Sequence, residues 1–366
     1  MKTKVQVLAK EKRISSILEE SGRIIIAGPC SAESQEQVIE TAKALAADGR
    51  VHYLRAGIWK PRTSPGSFEG VGSIGFQWLN QAKAITGLPI ATEVGSERHV
   101  YEALKHGVDM LWIGARTVSN PFTIQEIAEA IRGVDIPVIV KNPLCPDIKL
   151  WEGAINRFLR AGVTQIAAVH RGFSQSGKSI LRNDPNWSIP AMLRERIPNL
   201  PLICDPSHIA GNHNLVAPIA SRAMETGFNG LMVEVHPNPQ HALSDSAQQL
   251  LPNKFTAMLD RLFDTKKTHN PDELLSELRM EVDILDEQLI SALANRMKLV
   301  KHIASIKKEG NIEVLQPSRW ESIIQKISLL AREQGLRPSF VRRLFNSIHK
   351  ESCTFQQEQL MQPVVK

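Results

Sequence analysis

Ile24-Ile25-Ile26-Ala27-Gly28-Pro29-Cys30-Ser31-Ala32-Glu33 is the stretch whose reading decides the fold. Four apolar residues, three of them β-branched, describe a strand buried on both faces. Gly28 and Pro29 end it, and a single cysteine stands one step past its carboxyl end. From Ser34 to Ala47 the apolar residues Val38, Ile39, Ala42, Leu45 and Ala46 recur at helical spacing. The unit is a strand, a turn and a helix, with a soft metal ligand or a nucleophile in the turn.

The pattern repeats outward. Strand-like runs follow at Val51–Leu54, Pro89–Thr92, Met110–Ile113, Pro137–Val140, Gln165–Val169, Leu200–Cys204 and Gly230–Val233. Helical segments separate them, among them Gly75–Ala84, Glu97–Lys105, Ile124–Ile131, Trp151–Ala161 and Asn214–Met224. Eight strands alternating with helices predict a (β/α)8 barrel, a TIM barrel in the α/β class, over residues 1–264. An open doubly wound sheet is the alternative, but no Gly-x-Gly-x-x-Gly follows the first strand. Residues 1–20 are polar and read as a short helix or arm.

Composition narrows the function. The chain has 366 residues, 42% hydrophobic and 22% charged, as in an ordinary globular protein. No apolar run reaches the ~20 residues that span a bilayer, and the basic amino terminus lacks an apolar core, so a cytoplasmic protein is expected. Cys30, Cys145, Cys204 and Cys353 are scattered and expected to be reduced. A net charge of +6 with only short basic clusters and 5% aromatics argues against nucleic acid and for anionic small substrates.

Just past the successive strands stand Cys30, Arg55, Glu93, Arg116, Lys141, His170 with Arg171, Asp205 with His208, and Glu234 with His236. In a barrel these strand ends share one face. Cys30, His208 and Glu234 offer sulfur, nitrogen and oxygen, and Asp245 completes a four-ligand set suited to Mn, Fe, Co or Zn rather than Mg or Ca. His170 and His236 stay open as ligands or as partners of ligands. Arg55, Lys60, Arg62, Arg116, Lys141 and Arg171 form a second, cationic set, too many for one carboxylate and suited to two phosphorylated substrates.

Six motifs, Gly28-Pro29-Cys30-Ser31, Lys60-Pro61-Arg62-Thr63-Ser64, Gly114-Ala115-Arg116, His170-Arg171-Gly172, Asp205-Pro206-Ser207-His208 and Glu234-Val235-His236, occur in order. Together, over residues 24–262, they resemble the 3-deoxy-D-arabino-heptulosonate 7-phosphate synthases of the compact type I subtype shared with 3-deoxy-octulosonate 8-phosphate synthases. The resemblance implies Cys30, His208, Glu234 and Asp245 as ligands of a divalent metal, Mn first, with no organic cofactor. It implies Arg55, Lys60, Arg116, Lys141 and Arg171 around phosphoenolpyruvate, with Arg62 and Thr63 on erythrose 4-phosphate and Pro61, Gly114 and Ala115 shaping those loops. Lys60 is the expected proton donor to the new hydroxyl. Lys before Pro61-Arg62 looks like the heptulosonate enzyme, since the sister enzymes typically place Asn before that Arg; an arabinose 5-phosphate enzyme is the alternative. No room is expected before Ile24 for the regulatory domain some relatives carry.

Residues 265–271 are a polar break ending in Pro271, which suits the first turn of a new helix. Residues 272–308 contain no Gly or Pro, which at about 1.5 Å per residue makes a helix of roughly 55 Å. Leu274, Leu278, Val282, Leu285, Leu289, Leu293, Val300 and Ile303 form its apolar stripe. Helices at about 319–334 and 338–361 follow, so residues 272–366 are expected to be an all-α three-helix domain in an intertwined homodimer. Arg296 and Lys307, 11 residues apart, fall about 20° apart on the helix, and Arg279 about 100° away. Leu278-Arg279, Leu285-Asp286, Arg296, Lys307, Arg319, Ser352 and Gln356 are similar to the all-helical chorismate mutases. The resemblance implies that Arg279 enters the partner's site and that Arg296, Lys307 and Arg319 bind the carboxylates and ether oxygen of chorismate. Ser352 and Gln356 complete that site, Gln356 on the ether oxygen. Two positions depart: Trp320 stands where a Glu often binds the substrate hydroxyl, and Gln316 where an Asp is common. A purely dimerising, ligand-sensing helical module is the alternative. Fusion of the two domains implies inhibition of the synthase by prephenate or chorismate.

Overall fold

The protein is described by a computed structural model over residues 13–62, 66–175, 179–263 and 271–361. Contacts divide the chain into two compact units, Met1–Glu281 and Val282–Lys366. The division falls within a long helix, and the polar break at 264–270 lies outside the described residues.

The first unit is a closed parallel barrel of eight strands in chain order. They are β1 (Ile24–Gly28), β2 (Tyr53–Arg55), β3 (Ile90–Val94), β4 (Met110–Ile113), β5 (Val138–Lys141), β6 (Ile166–His170), β7 (Leu202–Cys204) and β8 (Gly230–Glu234). Closure comes from β1 against β8, where Ile24 pairs with Gly230 and Gly28 with Glu234. Strand and helix positions agree with the periodicity, down to Glu97–Lys105 without a shift. Ser34 caps the helix Gln35–Asp48, its side chain accepting from the Gln37 N–H at 3.1 Å.

Alternation along each strand fixes what faces the barrel axis. Ile24, Ile26, Tyr53, Ala91, Met110, Trp112, Ile139, Ala167, Val169, Ile203 and Met232 form one buried cluster. Ile14 and Ile17 of the helix Ile14–Ser21 join it, so the apolar face of that helix shares the barrel's own core. Continuing the alternation by two residues carries the inward parity to Arg55, Glu93, Lys141, Asp205 and Glu234 at the carboxyl ends. Several of these end their strands rather than follow them, as Arg55, Lys141 and Glu234 do. Gly28 is required where it stands: at φ +150° a Cβ would lie 2.1 Å from the Arg55 carbonyl oxygen.

The second unit is helical. Its helices are Pro271–Glu309, which begins in the first unit, Pro317–Glu333 and Pro338–Met361, close to the expected bounds. At about 1.5 Å per residue the first is close to 60 Å long. Ile327, Ala331 and Val341 form a small buried cluster with Ile323, Ile324 and Phe345 packed on it. Val282, Leu285 and Leu289 of the expected stripe are 53%, 56% and 59% exposed. The side chains of Leu274 and Leu278 lie outside the described ones. No described helix is long and apolar enough to cross a membrane.

Candidate active sites

At the carboxyl ends of the strands, Cys30, Glu234 and Asp245 bring a sulfur and two carboxylate oxygens within 4.8 Å of one another. Cys30 Sγ donates to Asp245 Oδ2 at 3.1 Å, and its own N–H is held by Gln249 Oε1 at 3.0 Å. His208 Nε2 lies 3.7 Å from Glu234 Oε1 and 3.8 Å from Asp245 Oδ2. Asp245 reaches the group from a left-handed backbone position, φ +50°, which Asp tolerates better than most residues. His208 thus adjoins the two carboxylates of this three-residue group.

Their surroundings hold the carboxylates charged. Arg55, 1% exposed, donates to Glu234 Oε1 at 3.0 Å, and Gln248 Nε2 donates to Oε2 at 2.7 Å. Asp205 orients His208, its carboxylate 2.8 Å from Nδ1, and caps the helix Pro206–Ala210 that carries the ring. Burial opposes the charge on Asp205, but His208 and Lys141 hold its carboxyl well below the usual range. Burial likewise opposes the charge on Asp245, which His208, Lys60 and Arg182 hold far below the usual range. Burial, with Glu234 beside it, pushes the Cys30 thiol up although Lys60 Nζ stands 2.9 Å from Sγ. A thiol, an imidazole and two carboxylates around one point suit a borderline divalent cation, whose charge would release the thiol proton.

Beside this group lies a cavity lined by Lys60, Pro61, Arg62, Glu93, Gly114, Ala115, Arg116, Lys141, Leu144, Arg171, Arg182, His208 and Asp245. Arg62 donates to the Phe68 carbonyl at 3.0 Å and lies 3.9 Å from Asp245. Burial, with Arg182 and Arg116 near, pushes the Arg171 guanidinium down to about 10 despite Asp205, so it stays charged at neutral pH. Arg55 Nε and Nη1 are buried without hydrogen-bond partners, a standing demand for an anion. A Cβ at Gly114 would meet Glu93 Oε1 at 2.0 Å, so the glycine lets the Glu93 carboxylate lie against the Gly-Ala-Arg turn. Lys141 is engaged by Asp205 at 2.7 Å. Thr63 lies outside the described residues.

The two histidines left open by the sequence lie as follows. His170 directly follows Val169, whose side chain joins the barrel core, so the imidazole faces the other way. It sits among Trp151, Phe173, Trp187 and Phe228, where burial pushes it down to about 3. His236 turns to Glu33, 3.6 Å away, and accepts from the Asn238 N–H at 2.9 Å. Sequence reasoning missed Arg182, 3.2 Å from Asp245, and the two glutamines. None of them ends a strand, and only barrel closure delivers them. A larger depression of 810 Å³ on the outer face, lined by Arg132, Arg157 and Arg160, brings together no thiol, imidazole or acid.

In the helical unit Arg296 of the long helix donates to Ser352 Oγ of the last. Ser352 in turn donates to the Ile348 carbonyl at 2.7 Å. Lys307 Nζ donates to the Val314 carbonyl at 2.7 Å. Gln356 is buried, its amide nitrogen on the Ser352 carbonyl at 3.1 Å and its amide oxygen without a partner. Arg279 is exposed on the long helix, on the other side of the unit division. The Trp320 ring, next to Arg319, stacks on His349 at 4.0 Å.

Comparison with known proteins matches two families to the two parts of the chain. Residues 8–270 match the DAHP synthetase I family, and residues 278–357 match chorismate mutase type II. A phospho-2-dehydro-3-deoxyheptonate aldolase of Thermotoga maritima is 35% identical over 226 residues, 62% of this chain and 64% of that one. The match thus covers less than two thirds of that relative's length. A 2-dehydro-3-deoxyphosphooctonate aldolase of Legionella pneumophila is 26% identical over 259 residues, 65% of this chain and 89% of that one. The crystal structure of a Thermotoga maritima DAHP synthase superposes with a TM-score of 0.60 at 33% identity, covering 66% of this chain and 68% of that one. A truncated form of the Thermotoga enzyme gives 0.58 at 29%, covering 66% and 86%.

Proposed function

We propose, from the premise that this chain belongs to the DAHP synthetase I family and carries a chorismate mutase type II domain, that it is a bifunctional enzyme of the shikimate pathway. The barrel joins phosphoenolpyruvate to erythrose 4-phosphate, giving 3-deoxy-D-arabino-heptulosonate 7-phosphate and phosphate. The helical domain rearranges chorismate to prephenate. The domain boundary lies in residues 265–271.

The observation that carries the synthase reading is the meeting of Cys30, His208, Glu234 and Asp245 with a cation-lined cavity. A divalent cation held by these four, Mn in our reading, supplies Lewis-acid polarisation of the aldehyde oxygen. The chain's own groups do the rest. Arg55, Lys60, Arg116, Lys141 and Arg171 hold phosphoenolpyruvate, and Arg62 with Thr63 the aldose phosphate, overcoming the repulsion of two polyanions. Carbon C3 of phosphoenolpyruvate attacks the aldehyde carbon. Lys60 Nζ gives a proton to the resulting oxygen, water adds at C2, and phosphate leaves by C–O cleavage. Consumption of phosphoenolpyruvate by the full chain, with erythrose 4-phosphate against arabinose 5-phosphate, tests this. Turnover with the first, lost to a chelator and restored by Mn, is expected; turnover with arabinose 5-phosphate alone would transfer the barrel to the sister reaction.

A Claisen rearrangement needs a fixed chair conformer and positive charge at the breaking C–O bond, not an acid, base or nucleophile. Arg296, Lys307 and Arg319, with Arg279 from a second copy, supply the charge, and Ser352 and Gln356 the orientation. The exposed stripe Val282, Leu285, Leu289 supports a homodimer. Prephenate or chorismate bound there inhibits the barrel; synthase kinetics unchanged at saturating prephenate would end that part of the reading.

A further inference from the structure

The last helix carries, on the face that meets Arg296, a hydrogen-bonding group with no role so far. His349 lies on the last helix three residues before Ser352 and seven before Gln356. At about 100° per residue, His349 and Gln356 are some 20° apart, on the face whose Ser352 receives Arg296. The imidazole is half-buried. Trp320 lies flat against it, ring centres 4.0 Å apart and planes within 9°. Cys353 Sγ stands 3.6 Å from Nε2. Burial, then the positive charges of Arg296 and Lys307, lower the ring below its ordinary value, so it is uncharged at neutral pH and close to both cations.

A small dicarboxylate enol ether presents three kinds of polar group: two carboxylates, an ether oxygen and a ring hydroxyl. The cations and Gln356 answer the first two. A guanidinium or ammonium is poorly used on a neutral hydroxyl beside two carboxylates, which will capture it. An uncharged imidazole both donates and accepts, as a hydroxyl does. Clamping by Trp320 removes the rotamer freedom that such a contact would otherwise cost.

We propose that His349, held by Trp320, hydrogen-bonds the ring hydroxyl of the substrate and sets specificity for a hydroxylated ring. The proposal rests on the mutase reading of the helical domain. It makes His349 a specificity-determining residue and Trp320 its positioning residue.

The test compares kcat/KM of the full chain for chorismate and for 4-deoxychorismate, in which hydrogen replaces that hydroxyl. His349→Phe keeps the stack on Trp320 and removes both nitrogens. A single neutral hydrogen bond corresponds to about a tenfold effect. His349→Phe should therefore lower kcat/KM for chorismate about tenfold, mainly through KM, and leave the deoxy analogue within about twofold. His349→Gln, which again offers a donor and an acceptor, should recover part of the discrimination. Equal loss on both substrates, or a wild-type enzyme indifferent to the hydroxyl, would overturn the proposal while leaving the mutase reading intact. If the wild type turns over neither substrate, calorimetric binding of the same pair to the same variants decides by the same criterion. Absence of both turnover and binding would remove the mutase reading, and this proposal with it.

Discussion

The barrel and the helical unit solve the problem of apolar surface in opposite ways. Eight strands close on themselves, so Ile24, Ile26, Met110, Trp112 and Met232 are buried by their own chain, and Ile14 and Ile17 join the same core. The helical unit buries Val300, Ala304, Ile327, Ala331 and Val341 but leaves Val282, Leu285, Leu289 and Leu299 more than half exposed. An apolar stripe without a second layer over it is a face that a second chain can cover, which is the ground of the dimer proposed above. In the reading proposed above, the barrel site draws on one chain, whereas the helical site takes Arg279 from a second copy.

The sharpest way to break this comparison is at the donor cluster. Cys30→Ala should lower synthase kcat at least about a thousandfold, as loss of a ligand to a catalytic ion does, and leave mutase turnover within about twofold. Parallel loss of both activities would show that the two sites are not separable. Next in size, the double variant Leu285→Glu with Leu289→Glu should dissociate the proposed dimer, read by sedimentation. Burying two carboxylates without partners costs several kcal/mol; mutase activity should fall more than about a hundredfold and the barrel's melting should persist. Dimers that survive the double change would place the interface elsewhere. The smallest expected effect is at Trp59, stacked on His99 at 3.9 Å and one residue before Lys60. Trp59→Ala loses about 0.5–1.5 kcal/mol of aromatic contact beyond area burial. It should raise KM for the aldose phosphate several-fold with little change in mutase turnover.

Much of the barrel was legible because its signals are local. Apolar runs ended by Gly, Pro or a reactive residue mark each strand end, and the helices carry their caps, as Ser34 does for Gln35–Asp48 and Ser96 for Glu97–Lys105. Convergence of Cys30, His208, Glu234 and Asp245 follows once all strands run one way. What strand position alone does not reveal is parity. Arg55, Lys141 and Glu234 face the axis, but His170 ends its strand on the outward parity and enters an aromatic cluster instead. Arg182, Gln248 and Gln249 were invisible because their loops carry no periodic signal.

By itself the sequence determined eight strand-helix units, one long helix followed by two shorter ones, and the set of reactive groups at the strand ends. These depend on spacing along one element, where 2.0 and 3.6 residue periods act without the rest of the chain. Only the tertiary structure decided which of those groups meet: Lys141 with Asp205, Arg55 with Glu234, Lys60 with Cys30, Trp320 with His349. Each pair joins residues from different elements, and closure of the barrel or packing of helices brings them within a few ångströms. Contacts of that kind are properties of the assembled surface, and no single stretch of sequence carries them.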